Sequence, residues 1–125
     1  MRAYDPRTDP DAAGWLATEE SDRIQAVLAY HKRARIRVPS ERLHATIHVI
    51  VENQLALGVP EVMDALARLR REGLNRHDAV HAIGSVLAEH IYVLLKPGPT
   101  ENVVSHAAYL DGLKKLTAAG WRGAG

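Results

Sequence analysis

Residues 41–57 read ERLHATIHVIVENQLAL, and this stretch decides the fold because its apolar residues recur at helical spacing. One arc of the predicted helix carries the large apolar residues Leu43, Ile47, Ile50, Val51 and Leu55. Pro39-Ser40 precedes the stretch and Gly58 follows it, as is typical of a helix start and a helix end. The sequence therefore predicts an amphipathic helix from Pro39-Ser40 to about Leu57.

The same periodicity extends to both sides, and Gly and Pro fall between the periodic stretches. Besides the helix already described, we expect helices at about residues 17–36, 60–73, 75–95 and 100–119. Thr18 is the expected N-cap of the first, and Asn75, three residues before Asp78, is the expected cap of the helix at 75–95. No stretch alternates as a half-buried strand does. The prediction is one all-α domain over residues 1–125, an up-down helical bundle with its core in 17–95 and a C-terminal helix at 100–119.

Composition excludes several classes of protein. The 125 residues are 46% hydrophobic and 25% charged, which is ordinary for a globular chain. With no cysteine, thiolate nucleophiles, disulfides and cysteine metal sites are absent. Sixteen basic residues against fifteen acidic ones give no field for nucleic acid, and no apolar run is long enough for a membrane span. No apolar signal region follows Met1, so we expect a cytoplasmic protein.

Four of the seven histidines form two His-x-x-x-His pairs at the edge of apolar stripes. His44, His48 and Glu52 share one face of the second predicted helix, within an arc of about 80°. His77 and His81 repeat the spacing on the fourth, in the run RHDAVHAIGSVL of residues 76–87. Histidines four residues apart on a helix can place two nitrogens on one metal ion.

Short connections favour antiparallel neighbours, which would bring both pairs to the same end of a bundle. His31, near the C-terminus of the first predicted helix, would lie at that end too. Glu20 lies about 16 Å away along the same helix, so its role as a ligand is left open. We therefore expect one divalent transition metal, zinc, iron or nickel, held by His44, His48, His77 and His81, with His31 and Glu52 as further candidates.

Alternatives to this site remain open at the level of sequence. Glu52 could bind the ion or hydrogen-bond to a histidine ligand. The His pairs could instead pack in a metal-free interaction module, with apolar residues of the fifth helix forming a homodimer face, or act as a pH sensor. His90 and His106 are expected to be structural or surface residues. The metal site could be structural or catalytic; metal-activated water and hydrolysis would be the natural chemistry of a catalytic one.

The two motifs resemble a small bacterial helical family classed as a domain of unknown function. The similarity covers about residues 40–95 and rests on the two His pairs, on Gln54-Leu55 after the first and on Leu87-Ala88-Glu89 after the second. The chain differs from that pattern at Glu52, Asn53 and Ser85, the last two standing where acidic residues are expected. The resemblance implies a bacterial cytosolic helical domain. More distantly, the arrangement is similar to metal-binding helical bundles of the DinB type and to hemerythrins.

Overall fold

The computed structural model describes residues 3–34, 40–95 and 106–124, and helix is the dominant structure of these residues, which include no strand. The helices are α1 Ala12–Ala17, α2 Glu20–Arg33, α3 Glu41–Ala56, α4 Pro60–Arg71, α5 Arg76–Leu95, α6 His106–Lys115 and α7 Ala118–Ala124. The predicted all-α helical bundle is confirmed. Among these helices, none combines the length and the apolarity that crossing a bilayer requires.

The chain divides into two compact units, residues 1–59 and 60–125. In the first unit, α3 packs against both α1 and α2. The core of this unit is aromatic and aliphatic, and it includes a residue of the N-terminal segment: its buried members are Tyr4, Trp15, Val27, Ala45 and Val49. The N-terminal segment thereby joins the core that surrounds α3.

In the second unit, α5 packs against α4, α6 and α7, and α4 also packs against α6. The fully buried side chains include Val62, Leu69, Val80, Ile83 and Leu113. Arg68 of α4 donates hydrogen bonds to the carbonyls of Leu113 and Leu116, at 2.8 and 2.6 Å. These carbonyls lie at the C-terminal end of α6, where the Leu113 carbonyl otherwise accepts a long bond from the Leu116 amide at 3.3 Å. The Arg68 side chain therefore caps that helix.

Two glycines end helices as the sequence predicted. Gly58 after α3 and Gly73 after α4 have φ of 74° and 105°, a backbone region that residues with a side chain rarely adopt. At Gly73, the Leu74 amide donates to the Leu69 carbonyl at 3.1 Å, which is the longer bond of a Schellman motif. At the start of α5, the predicted cap at Asn75 is confirmed, since its side chain accepts from the Asp78 amide at 2.8 Å.

The first and the last predicted helices are wrong in their bounds. A single helix at 17–36 was expected, with Thr18 as its N-cap, but Thr18 ends α1 and Glu19 is the N-cap of α2. The Asp11 side chain starts α1 by accepting from the Gly14 amide at 2.9 Å. At the other end, the expected helix at 100–119 is divided into α6 and α7, and residues 100–105 lie outside the described residues.

Candidate metal-binding histidines

In the first unit, His31 of α2 and His44 of α3 point their Nε2 atoms at each other across 3.2 Å. The Nδ1 atom of His31 lies 2.8 Å from the backbone carbonyl of Val27. A carbonyl oxygen only accepts, so Nδ1 of His31 carries the hydrogen, and in the neutral ring Nε2 carries a lone pair. The helix backbone thus aims the basic nitrogen of His31 at His44.

His48 lies one turn beyond His44 on α3 and is 2% exposed. Its ring centroid is 5.5 Å from that of His31 and 6.1 Å from that of His44, so the three rings form one cluster. The hydroxyl of Tyr4 lies 3.1 Å from Nδ1 of His48 and donates to Oε2 of Glu52 at 2.5 Å. The hydroxyl therefore stands between the carboxylate and the imidazole.

Burial around this cluster favours the uncharged form of His44. His31 and Glu52 are 5% and 1% exposed, while His44 is only partly buried. Burial lowers the pKa of His44 below its usual value, and repulsion by a charged His31 lowers it further. A neutral imidazole is the form that binds metal ions. At neutral pH, His44 is therefore in the form that can act as a metal ligand.

In the second unit, His77 and His81 occupy successive turns at the start of α5. Their ring centroids are 4.2 Å apart and their Nε2 atoms are separated by 3.0 Å. The predicted convergence of histidines four residues apart is therefore present in this pair. Histidines among these candidates could hold a metal ion.

The structure places the remaining candidates as follows. Glu20 is exposed in the first turn of α2. His90 packs its ring against Tyr109 at 5.7 Å, which suits the structural role expected of it. The side chain of His106 lies outside the described part of the chain. That one ion is shared by ligands from both His pairs stays a prediction.

Sequence reasoning missed Tyr4, which lies before the first predicted helix. It is 5% exposed and contacts His48 with its ring at a centroid distance of 5.5 Å. Reasoning from sequence also missed why Asn53 is not acidic: its Oδ1 accepts from Nε1 of Trp15 at 2.8 Å and from Nη1 of Arg23 at 2.9 Å. The only local signal for Tyr4 was an aromatic residue within an otherwise polar segment.

Comparison with protein-family models, with curated protein sequences and with solved structures finds no match to this chain. Its function must therefore be argued from the chemistry of its own residues. The chain belongs to the class of all-α proteins, and its most distinctive chemical feature is the pair of histidine groups.

Proposed function

We propose that this protein binds a divalent transition metal ion through its histidines. The ligands that we propose are His31, His44, His48, His77 and His81. The observation that carries the proposal is the 3.2 Å separation between the Nε2 atoms of His31 and His44. Since the neutral His31 has a lone pair at Nε2, a proton or a metal ion must lie between the two nitrogens to prevent repulsion.

The spacing suits a metal ion. Two nitrogens bound at 2.0–2.1 Å lie about 2.8 Å apart when they subtend a right angle and about 3.4 Å apart in a tetrahedron. The separations of 3.2 Å for His31 with His44 and 3.0 Å for His77 with His81 both lie in this range. All-nitrogen ligation favours zinc, iron or nickel over magnesium and calcium, which prefer oxygen.

A metal-free module is the second candidate, because the same distances suit N–H···N hydrogen bonds. In that case a proton, rather than an ion, occupies the line between each pair of Nε2 atoms. The histidines would then hold helices together inside each unit, and the protein would act by binding a partner, which could be a second copy of this chain. The two candidates differ in whether the histidines bind metal with high affinity.

Metal content of protein purified without a histidine tag tests the proposal directly. We expect a stoichiometric transition metal by plasma mass spectrometry, its loss on dialysis against a chelator, and recovery with Zn²⁺ or Co²⁺. Bound Co²⁺ would in addition give visible absorption bands that report nitrogen ligation. Protein that is isolated without metal and does not bind added zinc, iron, nickel or cobalt would overturn the proposal and favour the metal-free module.

Matched histidine variants test whether each group of histidines contributes ligands to the metal. His44→Gln is the best variant for the first unit, because His44 is less buried than His31 and His48 and its loss should perturb the fold least. His81→Gln probes the second unit. His90→Gln is the control, since His90 packs on Tyr109 and belongs to neither group. We expect the first two variants to lose metal and the control to retain it.

A further inference from the structure

The hydrogen bonds of Tyr4 have a definite direction. A phenol has one hydrogen, and the Tyr4 hydroxyl donates it to Oε2 of Glu52. The 2.5 Å distance between these oxygens is typical of an O–H group that donates to an ionised carboxylate. The hydroxyl oxygen must then accept from its other neighbour, which is Nδ1 of His48 at 3.1 Å. The hydrogen of His48 accordingly lies on Nδ1.

This direction determines where the lone pair of His48 lies. A neutral imidazole has one N–H, so a hydrogen on Nδ1 leaves Nε2 as the basic nitrogen. His31 has the same tautomer for a different reason, since its Nδ1 donates to the Val27 carbonyl. The two buried rings of the cluster therefore both present Nε2 as the atom that can bind a metal.

We infer that Tyr4 is a positioning residue, which couples the buried carboxylate of Glu52 to His48 and holds that ring in the tautomer with a basic Nε2. This inference rests on the proposed function and assigns the roles of two residues within that site. Partners of this kind orient metal-binding histidines and raise their basicity. Here a hydroxyl lies between the carboxylate and the ring.

The surroundings of Tyr4 show how the hydroxyl is held in place. The Arg33 side chain donates to the backbone carbonyl of Tyr4 at 3.1 Å. The Tyr4 ring packs against Trp15 and Tyr30 at centroid distances of 5.4 and 6.2 Å. The N-terminal segment is thereby anchored by both its backbone and its one aromatic ring, so that a residue remote in sequence completes the site.

The tautomer of His48 can be measured in the metal-free full-length protein. Long-range ¹H–¹⁵N spectra distinguish a ring nitrogen that carries hydrogen from one that carries a lone pair, and a His48→Gln variant assigns the signals. We expect hydrogen on Nδ1 of His48 in the wild type. Hydrogen on Nε2 in the wild type would overturn the inference, because the hydroxyl would then have to donate to His48.

Two variants test the role of the hydroxyl and of the carboxylate. Tyr4→Phe removes the acceptor for Nδ1, and we expect a mixture of tautomers at His48. Glu52→Gln gives Tyr4 a neighbour that can donate as well as accept, so the direction of the bonds is no longer imposed and a mixture is again expected. Tyr30→Phe is the matched control, because Tyr30 contacts the rings of Tyr4 and His31. Its His48 spectrum should be that of the wild type.

Metal affinity provides the second readout, with Zn²⁺ as the probe. Loss of such a partner weakens metal binding by about 10- to 100-fold, so we expect this loss in Tyr4→Phe and little change in Tyr30→Phe. Equal affinities in the two variants would overturn the inference, as would an unchanged His48 tautomer in Tyr4→Phe. A protein that binds no zinc but shows the expected tautomers would support the positioning role and overturn only the metal proposal.

Discussion

Replacement of Asn53 by alanine should destabilise the first unit because two donors converge on one side-chain oxygen. Trp15 and Arg23 donate to Oδ1 of Asn53 at 2.8 and 2.9 Å. The guanidinium of Arg23 also donates to the carbonyls of Thr18 and Leu16, at 2.7 and 2.9 Å. Asn53 thus joins α3 to α1 and α2 at the point where α1 ends.

The cost follows from what each donor loses. Trp15 is 3% exposed, so its indole N–H would be left without water or an acceptor, which costs about 1–3 kcal/mol. A hydrogen bond from a charged group such as Arg23 contributes about 1.5–3 kcal/mol, and water can replace part of it here because Arg23 is only partly buried. We therefore expect Asn53→Ala to lower the free energy of unfolding by about 2–4 kcal/mol.

Urea unfolding followed by tryptophan fluorescence measures this free energy. The chain has two tryptophans, so Trp121→Phe is introduced as a background to make the signal report Trp15 alone. Asn53→Asp is the matched control: it keeps an oxygen at the position of Oδ1 and adds attraction to Arg23. It should stay within about 1 kcal/mol of the background protein.

Two results would contradict this expectation for Asn53. A loss below about 0.5 kcal/mol in Asn53→Ala would mean that the bonds at Oδ1 contribute nothing net to stability. An Asn53→Asp variant as unstable as Asn53→Ala would mean that the amide nitrogen, and not the oxygen, is what the fold requires.

Three further predictions concern pH, metal and the second unit. Because burial and His31 lower the pKa of His44, the folded metal-free chain binds a proton less readily than the unfolded chain. The stability of the metal-free protein should be constant above about pH 6.5 and should fall as the pH drops below that value, and it should fall less in His44→Gln. Thermal melts in which Tm falls equally with pH in the wild type and in His44→Gln would contradict this. Free Zn²⁺ at 100 times its Kd should raise the free energy of unfolding by about 2.7 kcal/mol, and a chelator should reverse this gain. A Tm that zinc does not change would contradict a site that is present only in the folded state. Arg68→Ala should lower the free energy of unfolding in urea by about 1.5–3 kcal/mol, because the bonds to Leu113 and Leu116 are lost. Arg70 is exposed, so Arg70→Ala is the control, and an equal loss in the two variants would disprove the capping role.

The helices that were predicted well are those whose ends are marked by local chemistry. Gly58 and Gly73 end α3 and α4 because a positive φ is a property of single residues, and Asn75 caps α5 through a bond that spans three residues. Such features can be read from a short window of sequence. The shared face of His44 and His48 follows in the same way from helical geometry alone.

The break between α1 and α2 could not be predicted, because what stabilises it is remote in sequence. α1 has only six residues, too few to be stable alone. It is held by burial of Trp15 and by the bond from Trp15 to Asn53, 38 residues away. Without these contacts, Thr18 resembles an ordinary N-cap, since threonine is common at that position.

The part played by Glu52 shows most clearly what helical spacing leaves open. His48 and Glu52 are four residues apart on α3, so the sequence allowed either direct contact or shared binding of an ion. In the structure Oε2 of Glu52 accepts from Tyr4, whose oxygen is also the neighbour of His48, and Tyr4 lies 44 residues from His48 in the sequence. Spacing identifies the face on which a histidine lies, but the partner of Nδ1 determines whether Nε2 can donate its lone pair to a metal. For His31 that partner is a carbonyl of its own helix, whereas for His48 it is a hydroxyl from the N-terminal segment. Only the partner of His31 could therefore have been found from local sequence.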